Sequence, residues 1–209
     1  MNKSIAWYFD FISPFAYFQH RYLINEHPDI EIHYYPILLG ALFVQNQHKG
    51  PAEIPVKRTM TYRHCIWYAK QHRIPFRLPD IHPYRPVNVL RMALAAGVNA
   101  EAVSKIFEFI WVDGKSPDHS ERLNELSARL GLHEYQSAIA KPEIKDRLRQ
   151  NTERAIELGI FGVPTVAVGN QLFWGHDQTP MILEYLDNPR LFEDAEYRGI
   201  ENIQDGLAK

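Results

Sequence analysis

Ser13 stands at a break in an apolar run, Ile5 to Tyr17 (IAWYFDFISPFAY), and is followed at once by Pro14. Serine is preferred just before a helix and proline as its first residue, because proline lacks the N–H that would go unpaired there. The run therefore reads as a strand that hands a hydroxyl to a helix N-terminus. Free N–H donors and about half a positive charge at such a position favour a carboxylate, a phosphate or a thiolate. Two roles are open to Ser13 on these residues: a cap alone, or a cap whose hydroxyl also meets a bound anion. Cys65 is the only cysteine, which excludes an internal disulfide, a CxxC redox pair and a cysteine-rich metal site. The ten histidines are scattered without HExxH or other ligand spacing, so no metal site is expected and they read as surface or structural residues.

The rest of the chain must position Ser13. With 209 residues, 45% of them hydrophobic, and a formal charge of −2, the composition is that of a soluble globular protein, large enough for one sizeable core or a domain with a large insertion. No basic excess points to nucleic acid. The start, MNKSIAWYFDF, has no long uncharged stretch and no cleavage site, and there is no apolar span of membrane length, so the cytoplasm is the expected location.

After the first helix, Pro28-Asp29 turns the chain into Ile30 to Tyr35, rich in β-branched and aromatic residues, which completes a βαβ unit with a parallel strand pair. Pro36 to Leu42 leaves the sheet, and Gln45 to Pro55 reads as a long polar loop. Helical segments are expected at 56–72, 86–96, 101–112, 120–130 and 143–158, divided by proline and glycine. Ala102, Ile106, Phe109 and Ile110 form one apolar stripe and Leu123, Leu126 and Leu130 another, both read as core packing. Thr165 to Val168 and Gln171 to Trp174 are short strands joined at Gly169-Asn170, a tight hairpin signal. Gly175 to Gln178 then turns, and Thr179-Pro180 repeats the cap-plus-proline start of a helix running to about Leu186. With sheet-forming residues at both ends, the simplest assembly is one mixed α/β sheet carrying a helical insertion.

That βαβ…ββα order, with Val163-Pro164-Thr165 opening its second half, resembles the thioredoxin fold with the large helical insertion of DsbA-like proteins. Within that family the chain is similar to the glutathione-dependent branch, the 2-hydroxychromene-2-carboxylate isomerases and kappa-class glutathione transferases. The motifs that carry the likeness are FDFISPFAY, the GALF and IPVK segments, VNVLR at 87–91, GIFGVPT at 159–165 and FWGHD at 173–177. The resemblance implies a thioredoxin-like domain from residues 1–42 with 155–209, and an inserted helical domain from 43–154. It also implies glutathione as cofactor, a small aromatic or electrophilic substrate, and a homodimer.

By the same resemblance Ser13 is the catalytic serine, whose hydroxyl would favour the glutathione thiolate. Val163 precedes a proline, Pro164, that is cis throughout the fold, and its backbone would pair with the glutathione cysteine as an added strand. His176 and Asp177 match the turn that holds the γ-glutamyl group. Lys57 matches a lysine that would meet a glutathione carboxylate, with a solvated helix lysine as its ordinary alternative. There are departures: His48 stands where the family usually has asparagine in the cofactor loop, and His176-Asp177-Gln178 replaces the commoner WGQD or GSD-Arg. Asn88 and Arg91, one helical turn apart, match second-substrate positions, where a guanidinium could hold the carboxylate of an aromatic keto acid. Packing is their equal alternative. Phe11 and Trp174, with Tyr8, read as walls of that pocket or as core. Three activities fit this reading: an isomerase acting through a glutathione thiolate adduct, a transferase that consumes glutathione on an electrophile, and a noncatalytic thioredoxin-like binding module.

Overall fold

Strand β1 (Ser4–Phe9) sends Ile5, Trp7 and Phe9 to one face and Tyr8 to the other, and all four are buried. In the computed structural model, which describes residues 3–204 and 206, this strand is the organising element. It lies parallel to β2 (Glu31–Pro36), in register from Ser4↔Glu31 to Phe9↔Pro36, with helix α1 (Pro14–Glu26) making the crossover. On its other side β1 pairs antiparallel with β3 (Thr165–Val168), which turns at Gly169 (φ 58°) into β4 (Gln171–Trp174). The sheet order is β2-β1-β3-β4, the mixed βαβ…ββα sheet expected from the sequence.

Between the two halves of the sheet run α2 (Leu39–Gln45), α3 (Pro55–Gln71), α4 (Val87–Ala95), α5 (Ala100–Trp111), α6 (Ser120–Leu130), α7 (Tyr135–Ala140) and α8 (Pro142–Glu157). After β4 come a 3-10 turn, His176–Gln178, then α9 (Thr179–Asp187), the short α10 (Ala195–Arg198) and a second 3-10 turn, Gly199–Asn202. Ala102, Ile106, Phe109 and Ile110 are buried on α5, as their spacing predicts, and Asn99 caps that helix by accepting from the Ala102 N–H at 2.9 Å. Among the described residues no helix is long and apolar enough to cross a membrane.

The structure corrects several expectations. Helix α2 occupies part of the stretch read as leaving the sheet. Only Leu42 of it is buried, against Tyr8, Ile37, Ala155 and Ile160, so seven residues containing Gly40 carry almost no periodic signal. Helix α7 is likewise short and lies outside the expected 143–158 segment. Thr179 is not the cap of α9: Gln178 holds that position, and the Thr179 hydroxyl donates to the His176 carbonyl at 2.6 Å.

One apolar cluster joins the sheet to the helices. Trp7 and Phe9 stack at 4.3 Å, Phe9 meets Phe11 edge-on at 5.2 Å, and Phe107 of α5 packs against all three. Burying each such ring contributes about 1.5–3 kcal/mol, so the end of β1 that leads into Ser13 is among the most firmly held backbone in the chain.

Candidate active site

Ser13 is 7% exposed and caps α1 in extended conformation (φ −93°, ψ 117°). Its Oγ accepts from the Ala16 N–H at 3.3 Å. The hydroxyl hydrogen donates to nothing among the described residues, so it remains available to an acceptor at the helix N-terminus.

The turn that delivers Ser13 is closed by a buried acid absent from the sequence reading. Asp10 has no exposed surface, and its carboxylate accepts from the N–H groups of Ile12 (3.1 Å) and Leu39 (3.1 Å). Its own carbonyl accepts from the Ser13 N–H at 3.1 Å. Burial raises the Asp10 carboxyl to about 7, against the opposing effect of N–H bonds from Leu39, Ile12 and Phe11. The next carbonyl, that of Phe11, accepts from the indole N–H of Trp111 at 3.0 Å.

Beside this turn runs the segment before β3. The register Tyr8↔Thr165 brings residues 163 and 164 next to the end of β1, and the Val163-Pro164 peptide is cis. Neither the N–H nor the C=O of Val163 is hydrogen-bonded among the described residues, which leaves an open strand edge facing the start of α1. The Pro164 carbonyl accepts from the Gly175 N–H at 2.9 Å and ties this edge to the 175–178 turn. Gln19 holds the turn to α1, its Nε2 donating to the Gly175 carbonyl at 3.2 Å and to Thr179 Oγ1 at 3.0 Å while its Oε1 accepts from the Trp7 indole at 2.7 Å. Gly175 takes φ 103°, a backbone conformation that L side chains rarely adopt, so glycine suits this turn, and the Asp177 carboxylate lies 2.4 Å from where a Cβ would be. Asp177 is exposed and makes no hydrogen bond among the described residues. His176 stacks on Phe15 at 5.1 Å and meets Tyr68 of α3 edge-on at 5.0 Å. Burial lowers its imidazole pKa, Asp177 pushes it back up, and His64 and His72 add to the lowering.

Ser13, Val163, Pro164, His176 and Asp177 thus converge on one end of α1. Lys57 is exposed in the first turn of α3, seven residues before His64, and so lies on the helix face that carries His64 toward Phe15. His48 is exposed on the loop before α3, edge-on to Phe43 at 4.8 Å. Asn88 is exposed on α4, and Arg91 is half-buried there with its Nε buried and unpaired among the described residues. Among the described residues no hydrogen bond, ion pair or ring contact links Lys57, His48, Asn88 or Arg91 to Ser13. Phe11 has no exposed surface and packs on Phe9 and Phe107, on the same side as Ile5, Trp7 and Phe9, which agrees with the core alternative of its reading. Trp174 is 50% exposed, packed on Phe161 and on Gly162, where a Cβ would sit 2.5 Å from its Nε1, and it borders the open edge at Val163.

A strand, a cap at an α-helix N-terminus, a cis-proline edge and a helical insertion define a thioredoxin-type α/β protein, and the DSBA-like thioredoxin domain matches residues 4–187. The chain belongs to that family. It is 29% identical over 185 residues to 2-hydroxychromene-2-carboxylate isomerase of Pseudomonas sp. (strain C18), covering 85% of this chain and 87% of that one. To glutathione S-transferase kappa 2 of Caenorhabditis elegans it is 24% identical over 211 residues, covering 90% and 93%. A solved 2-hydroxychromene-2-carboxylate isomerase superposes with a TM-score of 0.79 at 22% identity, covering 96% of this chain and all of that one, and so shares its fold. These relatives are enzymes matched along nearly their whole length, and this chain is an enzyme of that group.

Proposed function

We propose that the chain is a glutathione-dependent isomerase of 2-hydroxychromene-2-carboxylate-type aromatic keto acids, acting in aromatic hydrocarbon breakdown in the cytoplasm as a homodimer. The observation that carries the reading is the meeting of a free Ser13 hydroxyl hydrogen, an unpaired Val163 backbone edge and an unpaired Asp177 carboxylate around one helix N-terminus. These residues fit an extended peptide bearing a thiol and a charged amino-acid end. Val163 would pair with its backbone, Asp177 and the 175–178 turn would hold its ammonium, and Lys57 would supply charge for a carboxylate. Bound glutathione would supply a nucleophilic sulfur. Ser13 holds a hydrogen-bond donor at the point where negative charge on that sulfur must be stabilised, and the α1 N-terminus adds its N–H groups and dipole. Trp174 shields the edge from solvent on one side. Asn88 and Arg91 are proposed to orient the keto acid.

The likeness to a kappa-class transferase over 90% of the chain favours a second reading, in which the same site activates glutathione for attack on an electrophile. Calorimetry with glutathione, followed by parallel assays of hydroxychromene isomerisation and of aryl-halide conjugation, separates the readings. Glutathione binding with isomerisation and unchanged total glutathione supports the first. Consumption of glutathione supports the second, and absence of binding overturns both in favour of a noncatalytic module.

A further inference from the structure

The peptide bond between Ile12 and Ser13 is held at both ends. Its N–H, that of Ser13, donates to the Asp10 carbonyl at 3.1 Å. Its C=O, that of Ile12, lies 2.8 Å from Nε2 of His82, a residue 70 positions away in the loop between α3 and α4. A carbonyl only accepts, so Nε2 carries the proton. In the neutral ring Nδ1 is then an acceptor, and the Tyr62 hydroxyl stands 2.6 Å from it and donates. The Tyr62 oxygen is also 3.0 Å from the His82 carbonyl, which wedges it against both the ring and the backbone of one residue. Trp111 meets the imidazole edge-on at 5.3 Å and Tyr84 at 6.0 Å, so two aromatic rings add to the hydrogen bonds that orient it. Burial lowers the His82 pKa and Arg58 acts in the same direction, opposed by the bond to Ile12, which keeps the ring in the neutral form that this bonding pattern describes.

We propose that His82, braced by Tyr62, is a positioning residue for Ser13: it holds the Ile12 carbonyl, and with it the peptide plane that aims the Ser13 hydroxyl at the ligand. Asp10 and Trp111 secure the two preceding residues, and His82 is the side chain that acts on the Ser13 peptide itself. His82 does not touch the ligand. Its substitution therefore acts on sulfur activation and leaves binding, which rests on Val163 and Asp177, nearly unchanged. This consequence rests on the glutathione reading above; the control of the backbone does not.

The experiment compares His82→Phe, which keeps a ring but has no N–H, with His82→Gln, which keeps a donor. Two readouts are needed. Hydrogen exchange at the Ser13 amide is measured without ligand and is expected to speed up in His82→Phe and to return toward the parent rate in His82→Gln. With glutathione, His82→Phe is expected to lose about 10- to 100-fold in kcat and to raise the pKa of the bound thiol, at a Kd within about threefold of the parent's, with partial rescue by Gln. If His82→Phe does not fold, Tyr62→Phe removes the brace alone and should show the same signature at smaller amplitude. Unchanged exchange at Ser13, or a thiol pKa and kcat equal to the parent's, overturns the proposal. A parent that binds no glutathione sinks the glutathione reading instead, and the exchange measurement still decides the role of His82.

Discussion

The indole N–H of Trp111, at the last position of α5, donates to the carbonyl of Phe11 across 3.0 Å, both residues being wholly buried. A helix of the insertion thereby fixes the backbone two residues before Ser13. Trp111→Phe keeps a ring but orphans that carbonyl in a dry site, which should cost about 1–3 kcal/mol, with a cavity adding to it. Urea unfolding measures this. A variant within about 0.5 kcal/mol of the parent, the usual effect of an ordinary surface change, would show that the bond does no more than fill space.

Asp10 and His20 are buried without an ion pair among the described residues, and they respond to pH in opposite senses. Burial raises Asp10 from 3.8 to about 7, so between those values the folded chain keeps a proton that the unfolded chain has released. Its contribution is full below about pH 4 and is lost as pH rises to 7, on the order of 4 kcal/mol. Burial lowers His20 from 6.5 to about 3, so its contribution is full above about pH 6.5 and is lost as pH falls toward 3. The lowered His82 and His176 add to the His20 side. Over about pH 4 to 6.5 the Asp10 slope offsets part of the histidine slopes, and the parent should rise only gently with pH. Asp10→Asn should make stability climb more steeply with pH in that window than it does in the parent. Chemical denaturation at half-unit steps tests it, and superimposable curves for parent and variant would refute the assignment.

Ser13→Ala removes both the cap and the hydroxyl donor. The cap is worth about 1 kcal/mol of stability, and a hydrogen bond to a thiolate about 1.5–3 kcal/mol, or on the order of 10–100-fold in rate. Thiolate absorbance at the ultraviolet edge, titrated in the glutathione complex, separates the two. The bound thiol pKa should lie below that of free glutathione in the parent and rise in the variant. Were the variant to keep both the low pKa and the rate, the helix N-terminus alone would be the activator.

Asp177→Ala should weaken glutathione binding by about 1.5 kcal/mol, near tenfold in Kd. This is the low end for a hydrogen bond to a charged group, because the carboxylate is exposed. Calorimetry with intact glutathione and with the des-γ-glutamyl dipeptide checks the position: the variant should lose affinity for the first and not for the second. Equal losses for both would move the γ-glutamyl site elsewhere.

Features written in adjacent residues could be read from the chain. Ser13-Pro14 announces the helix start, Gly169-Asn170 the hairpin, and the stripe from Ala102 to Ile110 the buried face of α5. What escaped depends on partners far apart in sequence. Asp10 sits in an apolar run and looks like an interior strand residue until Leu39 reaches its carboxylate. Gln19 is one polar residue on a helix, and nothing near it in sequence signals a bond to Gly175, 156 positions on. Phe11 reads from the sequence as either pocket wall or core, and its packing on Phe107, 96 positions on, is what no neighbouring residue announces.

The sheet order β2-β1-β3-β4 has a consequence for how the enzyme is made. β1 and β2 lie about 25 residues apart and emerge close together, whereas the second partner of β1 arrives only when Val166 can reach Trp7. Contacts of such long sequence separation close late, since a large loop entropy must be met before the pairing rewards it. The Ser13 turn can therefore form on the nascent chain before the segment of Val163 is there to lie beside it. Until the β3–β4 hairpin docks, the inner edge of β1 is an unsealed strand.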